Sequence, residues 1–206
     1  YKDVQEIKTM KMAANISSLA HIRAMKSCKP GLHEYDIEAE LLHEFKINGA
    51  QDIAYPSIVA SGPHSCILHH RASKRVMKKN ELLLIDAGCE LDGYASDITR
   101  TFPVSGKFNS LQKEIYEIVL YAQEEAIQKA VPGANFLDPH NVAVEILTSG
   151  MIELGLIKNV TLEEAVEKKM YQKYYMHKTG HWLGLDVHDV GSYKKSLSKG
   201  MTLTIE

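Results

Sequence analysis

The spacing of apolar residues predicts α-helices at the start and in the middle of the chain. They span residues 4–27, 34–47, 110–130, 138–154 and 161–170. The first carries an apolar stripe made of Val4, Ile7, Met10, Ala14, Leu19, Ile22 and Met25, whereas Met12 and Ile16 lie off it. We expect this stripe to face the core. Thr161 and Glu164 have capping-box spacing at the start of the last helix.

Shorter apolar or alternating runs predict β-strands. They span residues 57–60, 66–69, 82–85, 94–101, 174–177, 183–188 and 201–206. In the last run, Glu206 shares a face with Thr202 and Thr204. The helices group before and after the strand pairs instead of alternating with them. This order predicts an α+β fold with a mostly antiparallel sheet.

The stretch over 82–101 predicts a tight β-hairpin, because the Asp-Gly pair at 92–93 favours positive φ at both positions of a two-residue turn. With this pair as the loop, Asp86 lies opposite Thr99. Side chains alternate between faces along a strand, so Asp86 and Asp97 fall on the same face, about 7–8 Å apart at the backbone. A β-bulge would break this register.

Two carboxylates that point at one spot in a low-dielectric sheet repel each other unless a positive charge lies between them. A pair of divalent metal ions is the natural candidate, since carboxylate oxygens suit manganese, magnesium and similar hard cations. The alternative is a solvated hairpin with two surface aspartates. The spacing of Asp86 and Asp97 alone leaves both interpretations open.

The composition is that of one large globular domain with a sizeable core. The chain has 206 residues, of which 45% are hydrophobic and 24% are charged, and its formal net charge is -2. A net charge this close to zero does not predict a basic surface for binding nucleic acid or acidic membranes. No apolar run is long enough to span a bilayer. Cys28, Cys66 and Cys89 form no Cys-x-x-Cys pair, which argues against a disulfide framework or a structural zinc site and favours the reducing cytosol.

Candidate nitrogen ligands, His177, His181 and His188, are concentrated in the last third of the chain. Neutral imidazole is a common ligand of first-row metals, although each of these residues could instead be a partly buried histidine without a metal. Glu206 could likewise be a surface carboxylate at a strand end. Taken together, three carboxylates and one imidazole are the ligand mix of a dinuclear hydrolytic site, and its members would be Asp86, Asp97, His181 and Glu206.

The most distinctive segments are IVASGPHSCILHH over 58–70, LLLIDAGCELDGYASDITRTFPVSGKF over 82–108, GHWLGLDVHDVG over 180–191 and GMTLTIE over 200–206. In order and spacing they resemble the catalytic domain of the Xaa-Pro aminopeptidases (aminopeptidase P), within the creatinase, prolidase and methionine aminopeptidase superfamily. The resemblance covers nearly the whole chain. It implies the pita-bread fold over residues 1–206, with a mostly antiparallel sheet and helices on one side.

The resemblance also implies two divalent metal ions, with manganese as the expected metal. Asp86 and Asp97 resemble the two aspartate ligands of the family, with Asp97 bridging both ions. His181 resembles the single histidine ligand. Glu206 resembles the glutamate that binds one metal and acts as general base toward the bridging water.

The implied activity is release of the N-terminal residue from peptides with proline at the second position, through attack by a hydroxide that bridges the metals. His188 resembles the catalytic histidine that hydrogen-bonds the substrate near the scissile bond and stabilises the developing tetrahedral charge. His69, His177 and Tyr193 resemble residues that line the pocket on the proline side of that bond. We expect His69 to contribute to catalysis as well as to substrate binding.

Two family features find no counterpart in the sequence: a second bridging glutamate beyond Glu206, and an N-terminal domain. We therefore expect a C-terminally incomplete fragment with weak or no activity of its own. The full-length protein is expected to be a cytoplasmic homo-oligomer that acts on peptides and binds neither nucleic acid nor membranes.

Three other functions stay open at this point. A prolidase would act on Xaa-Pro dipeptides only. A methionine aminopeptidase fits less well, because the HWLGLDVHD segment with Trp182 departs from the usual pattern of that group. A catalytically silent pita-bread module used for binding belongs to a different functional class, and the retained ligand residues argue against it.

Overall fold

The computed structural model describes residues 1–206, which divide into two compact units. Unit 1 contains Tyr1–Asn109 and Trp182–Val190, and unit 2 contains Ser110–His181 and Gly191–Glu206. All strands lie in unit 1. No helix in either unit has both the length and the hydrophobicity needed to cross a lipid bilayer. That residues 1–206 form one catalytic domain stays a prediction.

The two helices of unit 1 have the bounds that the sequence predicts. Helix α1 spans Val4–Ser27 and helix α2 spans Glu34–Ile47. At the start of α1, the Asp3 carboxylate accepts hydrogen bonds from the backbone N–H groups of Gln5 and Glu6. The Glu6 carboxylate in turn accepts one from the backbone N–H of Asp3. This reciprocal cap satisfies donors that the first turn of a helix otherwise leaves unpaired.

The buried face of α1 differs from the predicted one. Ile16, which lies off the apolar stripe, is 7% exposed, whereas the stripe members Leu19 and Ile22 are 38% and 43% exposed. The residues that pack most closely are small and fully buried: Ala13, Ala20 and Ala24. Small side chains allow the backbones of α1 and α2 to approach each other. The small size of the alanines, more than the hydrophobicity of larger residues, therefore determines which face of α1 is buried.

Short strands form two antiparallel three-stranded sheets in unit 1. They are β1 (Asp52–Ile53), β2 (Ile58–Ser61), β3 (Leu82–Ala87), β4 (Cys89–Leu91), β5 (Tyr94–Ala95) and β6 (Ile98–Pro103). The strand orders are β1-β4-β5 and β2-β3-β6. Alternate residues of β3, Leu83, Ile85 and Ala87, are fully buried in a core that α2 also lines. The predicted α+β class with antiparallel pairing is confirmed.

The predicted hairpin register is also confirmed. Asp86 pairs with Thr99 between β3 and β6, and Leu91 pairs with Tyr94 next to the turn, so no net bulge intervenes. The ribbon passes from one sheet to the other at Gly88. A Cβ atom on this glycine would lie 1.6 Å from the backbone oxygen of Ser96. The backbone at Gly88 and the backbone at Ser96 therefore approach each other more closely than a residue with a side chain would allow.

The strand predicted over 66–69 is wrong. Gly62–Cys66 forms a 3-10 helix with Pro63 in its first turn. His69 follows with a φ of 55°, whereas a strand requires negative φ. The apolar pair Ile67 and Leu68, which suggested a buried strand, is 53% and 63% exposed in the turn.

Unit 2 is built from three α-helices and a short 3-10 helix, and their ranges are α3 (Ser110–Lys129), α4 (Asp138–Glu153), α5 (Leu162–Glu167) and Met170–Lys173. Alanines of α3 and α4 meet in a shared core. The predicted capping box of α5 is confirmed: the Thr161 hydroxyl accepts from the Glu164 N–H, and the Glu164 carboxylate accepts from the Thr161 N–H.

The strands predicted over 174–177, 183–188 and 201–206 do not form. In unit 1, the Asp189 N–H donates to the Trp182 carbonyl, which closes the intervening residues into a loop. In unit 2, the backbone N–H groups of Thr204 and Glu206 donate to carbonyls of the 179–181 segment. Alternation of apolar and polar residues predicted strands here, but these few bonds do not build the continuous ladder that a strand needs.

We expect Gly88→Ala to lower the free energy of unfolding by more than about 3 kcal/mol, because the added methyl group would overlap a backbone oxygen that cannot rotate away. Urea denaturation followed by circular dichroism measures the loss. Gly49→Ala is the control: Gly49 has a φ of 89°, but no atom lies within 4 Å of the added Cβ. It should cost only backbone strain, about 1–2 kcal/mol. Equal losses in the two variants would contradict the close approach at Gly88.

Candidate metal centre

Two carboxylates of unit 1 converge beside the sheet. Asp86 lies near the end of β3 on its half-buried face, and Asp97 lies in the gap between β5 and β6. The Tyr55 hydroxyl is 2.5 Å from Oδ1 of Asp86 and 2.7 Å from Oδ1 of Asp97. Because both carboxylates contact the same hydroxyl, they lie on the same face, as the predicted register requires.

Tyr55 precedes Pro56 in the connection between β1 and β2. Its hydroxyl has one proton and donates to only one of the two carboxylates at a time. Burial, together with the negative charges of Asp86 and Asp97, raises the pKa of Tyr55 well above its usual value, so the hydroxyl stays a donor. Neighbouring carboxylates disfavour each other's ionisation, and a divalent cation relieves that repulsion. These oxygen donors therefore fit a hard divalent metal ion.

A histidine–carboxylate pair lies in unit 2. Nε2 of His181 is 2.9 Å from Oε1 of Glu206, and the two side chains are 15% and 28% exposed. The buried Thr204 hydroxyl accepts from the backbone N–H of His181 at 3.1 Å and donates to Oε1 of Glu206 at 2.8 Å. Gly180 permits this pairing, since a Cβ there would lie 2.0 Å from the Thr204 carbonyl oxygen. One threonine thus orients a nitrogen ligand and an oxygen ligand toward the same place.

His188 is exposed on a loop of unit 1 that is fixed on both sides. The neighbouring Asp189 pairs with Lys2 at 2.8 Å, and both side chains are 13% exposed. Burial alone would raise the pKa of Asp189, but the hydrogen bond and charge of Lys2 outweigh it and hold this pKa below its usual value. The Gly184 carbonyl accepts from the Ala95 N–H at 2.9 Å, which fixes the same loop to β5.

The predicted pocket residues lie on exposed segments of their units. His69 occupies the turn after the 3-10 helix of unit 1. In unit 2, Nδ1 of His177 donates to the Lys178 carbonyl at 2.8 Å. Tyr193 is 50% exposed and contacts the ring of Phe136 edge-on, with ring centroids 4.6 Å apart. The structure therefore pairs predicted ligands within each unit, whereas these three residues join neither pair.

Two residues of these clusters were missed by the sequence analysis. Tyr55 had only one local signal: the proline that follows it favours an extended backbone before a strand. No periodicity links it to the two aspartates, which come much later in the chain. For Thr204 the signal was present, since alternation places it on the face of Glu206. Its hydrogen bond to Glu206, however, depends on how the chain folds and has no signal in the sequence.

We expect Tyr55→Phe to weaken divalent metal binding about 10- to 100-fold, as loss of a residue that orients metal ligands commonly does. The physical reason is loss of the hydroxyl that holds Asp86 and Asp97 together. Calorimetric titration with MnCl2 measures the affinity. Tyr94→Phe is the matched control, because its hydroxyl also donates to a carboxylate of unit 1, that of Glu6 at 2.7 Å. Unchanged affinity in Tyr55→Phe would show that the hydroxyl does not organise the pair.

Comparison with known proteins identifies close relatives of this chain. It is 46% identical over 209 residues to the Xaa-Pro aminopeptidase of Haemophilus influenzae, and the match covers 100% of this chain and 48% of the relative. The aminopeptidase PepP of Pseudomonas aeruginosa has 48% sequence identity and a TM-score of 0.97, and the match covers 100% of this chain and 47% of that one. A zinc-substituted Escherichia coli aminopeptidase P, solved with its product, has 44% identity, the same TM-score of 0.97 and the same coverage, 100% and 47%.

The chain thus spans about half the length of the curated relatives it matches. Its fold is confirmed as the pita-bread fold, with antiparallel sheets and helices. The model of metallopeptidase family M24 matches residues 8–206. This match covers nearly the whole chain, which holds paired carboxylates in one unit and a histidine–carboxylate pair in the other. The chain therefore belongs to metallopeptidase family M24.

Proposed function

We propose that this chain carries the catalytic residues of a metal-dependent Xaa-Pro aminopeptidase. The observation that supports this most directly is the pairing of predicted ligands within each unit: Asp86 with Asp97 through one hydroxyl, and His181 with Glu206. The relatives described above include the Xaa-Pro aminopeptidase of Haemophilus influenzae and aminopeptidase P of Escherichia coli, at 46% and 44% identity over the whole chain. The substrate class would be peptides with proline at the second position.

In this proposal Asp86, Asp97, His181 and Glu206 would hold two divalent ions. Bound divalent ions lower the pKa of a water molecule and polarise a carbonyl group. Manganese is the proposed metal, because a carboxylate-rich ligand set suits hard cations. Tyr55 would keep the two aspartates in register for the ions, as its contacts to both carboxylates suggest.

Glu206 would accept a proton from the attacking water and pass it to the proline nitrogen as the peptide bond breaks. The Thr204 hydroxyl, which donates to Glu206, would hold the carboxylate in place for this transfer. His188 would donate a hydrogen bond to the oxygen on which negative charge develops. The anchoring of its loop through Asp189 and Lys2 supports this role, since a donor must be held in place before the charge appears.

His69, His177 and Tyr193 would line the pocket for the proline side of the scissile bond, and His69 would also assist catalysis. Their exposure leaves them accessible to a peptide. We also propose that the protein works in the cytoplasm, where its unpaired cysteines would stay reduced. Assembly of the full-length protein into a homo-oligomer, and weak activity of the isolated chain, stay predictions.

We expect Glu206→Gln to lower kcat on a Xaa-Pro-Xaa tripeptide about 10²- to 10⁴-fold, because the amide cannot accept the proton of the attacking water. The measurement is steady-state hydrolysis by the intact protein with added MnCl2. Glu167→Gln, an exposed glutamate of α5 in the same unit, serves as control and should retain wild-type kcat. Wild-type kcat in Glu206→Gln would exclude Glu206 as the base.

Metal removal and substrate length test the rest of the proposal. Chelation with EDTA should abolish hydrolysis and MnCl2 should restore it, because the ions supply the activated water. A Xaa-Pro-Xaa tripeptide should be cleaved, and a peptide with alanine at the second position should not. Cleavage confined to Xaa-Pro dipeptides would favour a prolidase, and no cleavage of any peptide would favour a binding module.

A further inference from the structure

The turn that carries His69 is held in a conformation that the chain does not adopt readily by itself. We call residues 61–73 the His69 loop. His69 has a φ of 55°, a left-handed conformation that is uncommon for residues other than glycine and persists only where surrounding contacts enforce it. The side chain of His69 is exposed, so packing around the imidazole does not provide these contacts. The constraint must come from the rest of the loop.

Both ends of the His69 loop bind the same buried carboxylate. Glu34, the first residue of α2, has a side chain that is 0% exposed. One of its oxygens accepts from the backbone N–H and the hydroxyl of Ser61, each at 2.8 Å. The other accepts from the backbone N–H and the hydroxyl of Ser73, at 3.1 and 2.7 Å. One side chain thereby closes the loop at its base.

The middle of the loop binds this carboxylate as well. Nδ1 of His64 is 3.0 Å from Oε1 of Glu34, and Nε2 of His70 is 2.9 Å from Oε2. The two imidazole rings contact each other, with centroids 4.2 Å apart. Because His70 directly follows His69, this hydrogen bond fixes the chain immediately next to the residue with positive φ.

The donor set around Glu34 favours a structural role over cation binding. Glu34, His64 and His70 offer ligand atoms within 4.8 Å of one another, as a metal site would. Each carboxylate oxygen, however, already accepts from a serine amide, a serine hydroxyl and an imidazole, so a cation would have to displace these donors. Burial alone would raise the pKa of Glu34, but the hydrogen bonds from His70, Ser61 and Ser73 outweigh it and lower the pKa to about 2. The carboxylate is therefore ionised at neutral pH.

We propose that Glu34 is a positioning residue for the peptidase reaction, which holds the His69 loop so that His69 faces the proline side of the substrate. The inference rests on the proposed function, because it assigns the loop to the substrate pocket. Glu34 itself is fully buried and does not contact substrate. Its effect passes through the serines at the base of the loop and through His70 to the backbone of His69.

The test compares Glu34→Gln with Glu40→Gln in the intact protein. Glutamine keeps the shape of Glu34 but presents an NH2 group to donors that need an acceptor. Glu40 lies on the same helix and pairs with Arg23 at 2.5 Å, away from the loop. We expect kcat/KM on a Xaa-Pro-Xaa tripeptide to fall about 10- to 100-fold in Glu34→Gln and to stay near wild type in Glu40→Gln. Glu34→Asp, which keeps the charge, should recover part of the loss.

A double-mutant cycle separates positioning from general loss of structure. If Glu34 acts through His69, Glu34→Gln should cost little in a His69→Ala background, so the double variant should match His69→Ala alone. Losses that multiply would overturn the proposal. Amide hydrogen exchange over residues 61–73 gives a readout without catalysis, and it should accelerate in Glu34→Gln but not in Glu40→Gln.

The two readouts keep this inference separable from the proposed function. Unchanged exchange in Glu34→Gln would overturn the bracing role whatever the activity. Accelerated exchange in Glu34→Gln, together with a wild-type protein that cleaves no Xaa-Pro peptide, would defeat the proposed function and, with it, the catalytic part of this inference. Three results together would support the bracing role and the proposed function: accelerated exchange in Glu34→Gln, reduced kcat/KM in Glu34→Gln, and a double variant that matches His69→Ala alone.

The pH dependence of stability gives a further check on Glu34. Its pKa is lowered from 4.5 to about 2 on folding, so its stabilisation is fully present above pH 4.5 and is lost as the pH falls toward 2. The stability difference between wild type and Glu34→Gln should shrink over this range, measured by urea denaturation. The titratable groups that face Glu34 are His64 and His70, and Arg75 follows the loop; all are retained in both variants. A difference that grows on acidification would show that Glu34 is not the bound anion.

Discussion

The antiparallel register of β3 and β6 is the constraint on which the chemistry of unit 1 depends. It sets Asp86 opposite Thr99, and a shift by one residue would exchange the two faces of the strand. Such a shift would bring Leu83 and Ile85 out of the core, at a cost of about 1.5–3 kcal/mol for each side chain. Hydrophobic burial on one face therefore holds two like charges together on the other. The repulsion between Asp86 and Asp97 is therefore a consequence of the fold. A bound cation would relieve it.

Unit 1 accommodates its other carboxylates of low exposure in different ways. Glu34 is surrounded by neutral and imidazole donors and is satisfied without a metal ion. Asp189 pairs with the ammonium group of Lys2. Asp86 and Asp97 instead lie close together as two carboxylates, and both contact the hydroxyl of Tyr55. Donor chemistry thus marks Glu34 and Asp189 as carboxylates that hold structure, whereas the closeness of Asp86 and Asp97 on one face makes that pair suited to bind a cation.

The features that sequence predicted well are those set by local interactions. The bounds of α1 and α2 follow from caps and turns next to them, and the hairpin register follows from the Asp-Gly turn and the buried alternation of β3. The failures depend on distant contacts. The last third of the chain alternates like a strand, yet only a few amides of 201–206 find partners on 179–181. Tyr55 has no periodic relation to the aspartates that it contacts, so only the fold brings them together.

Loops that carry functional side chains lack the hydrogen-bond ladders of helices and strands, so their N–H groups need other acceptors. A carboxylate with little solvent exposure supplies several acceptor positions at once, and one such residue holds each of the loops that carry His69 and His188. Glu34 gathers the donors of the His69 loop, and Asp189 anchors the loop of His188. Hydrophobic periodicity cannot reveal these acids, because in sequence Glu34 is an ordinary acidic residue in the first turn of a helix. The rigidity of these two loops therefore comes from polar residues that the apolar pattern does not show.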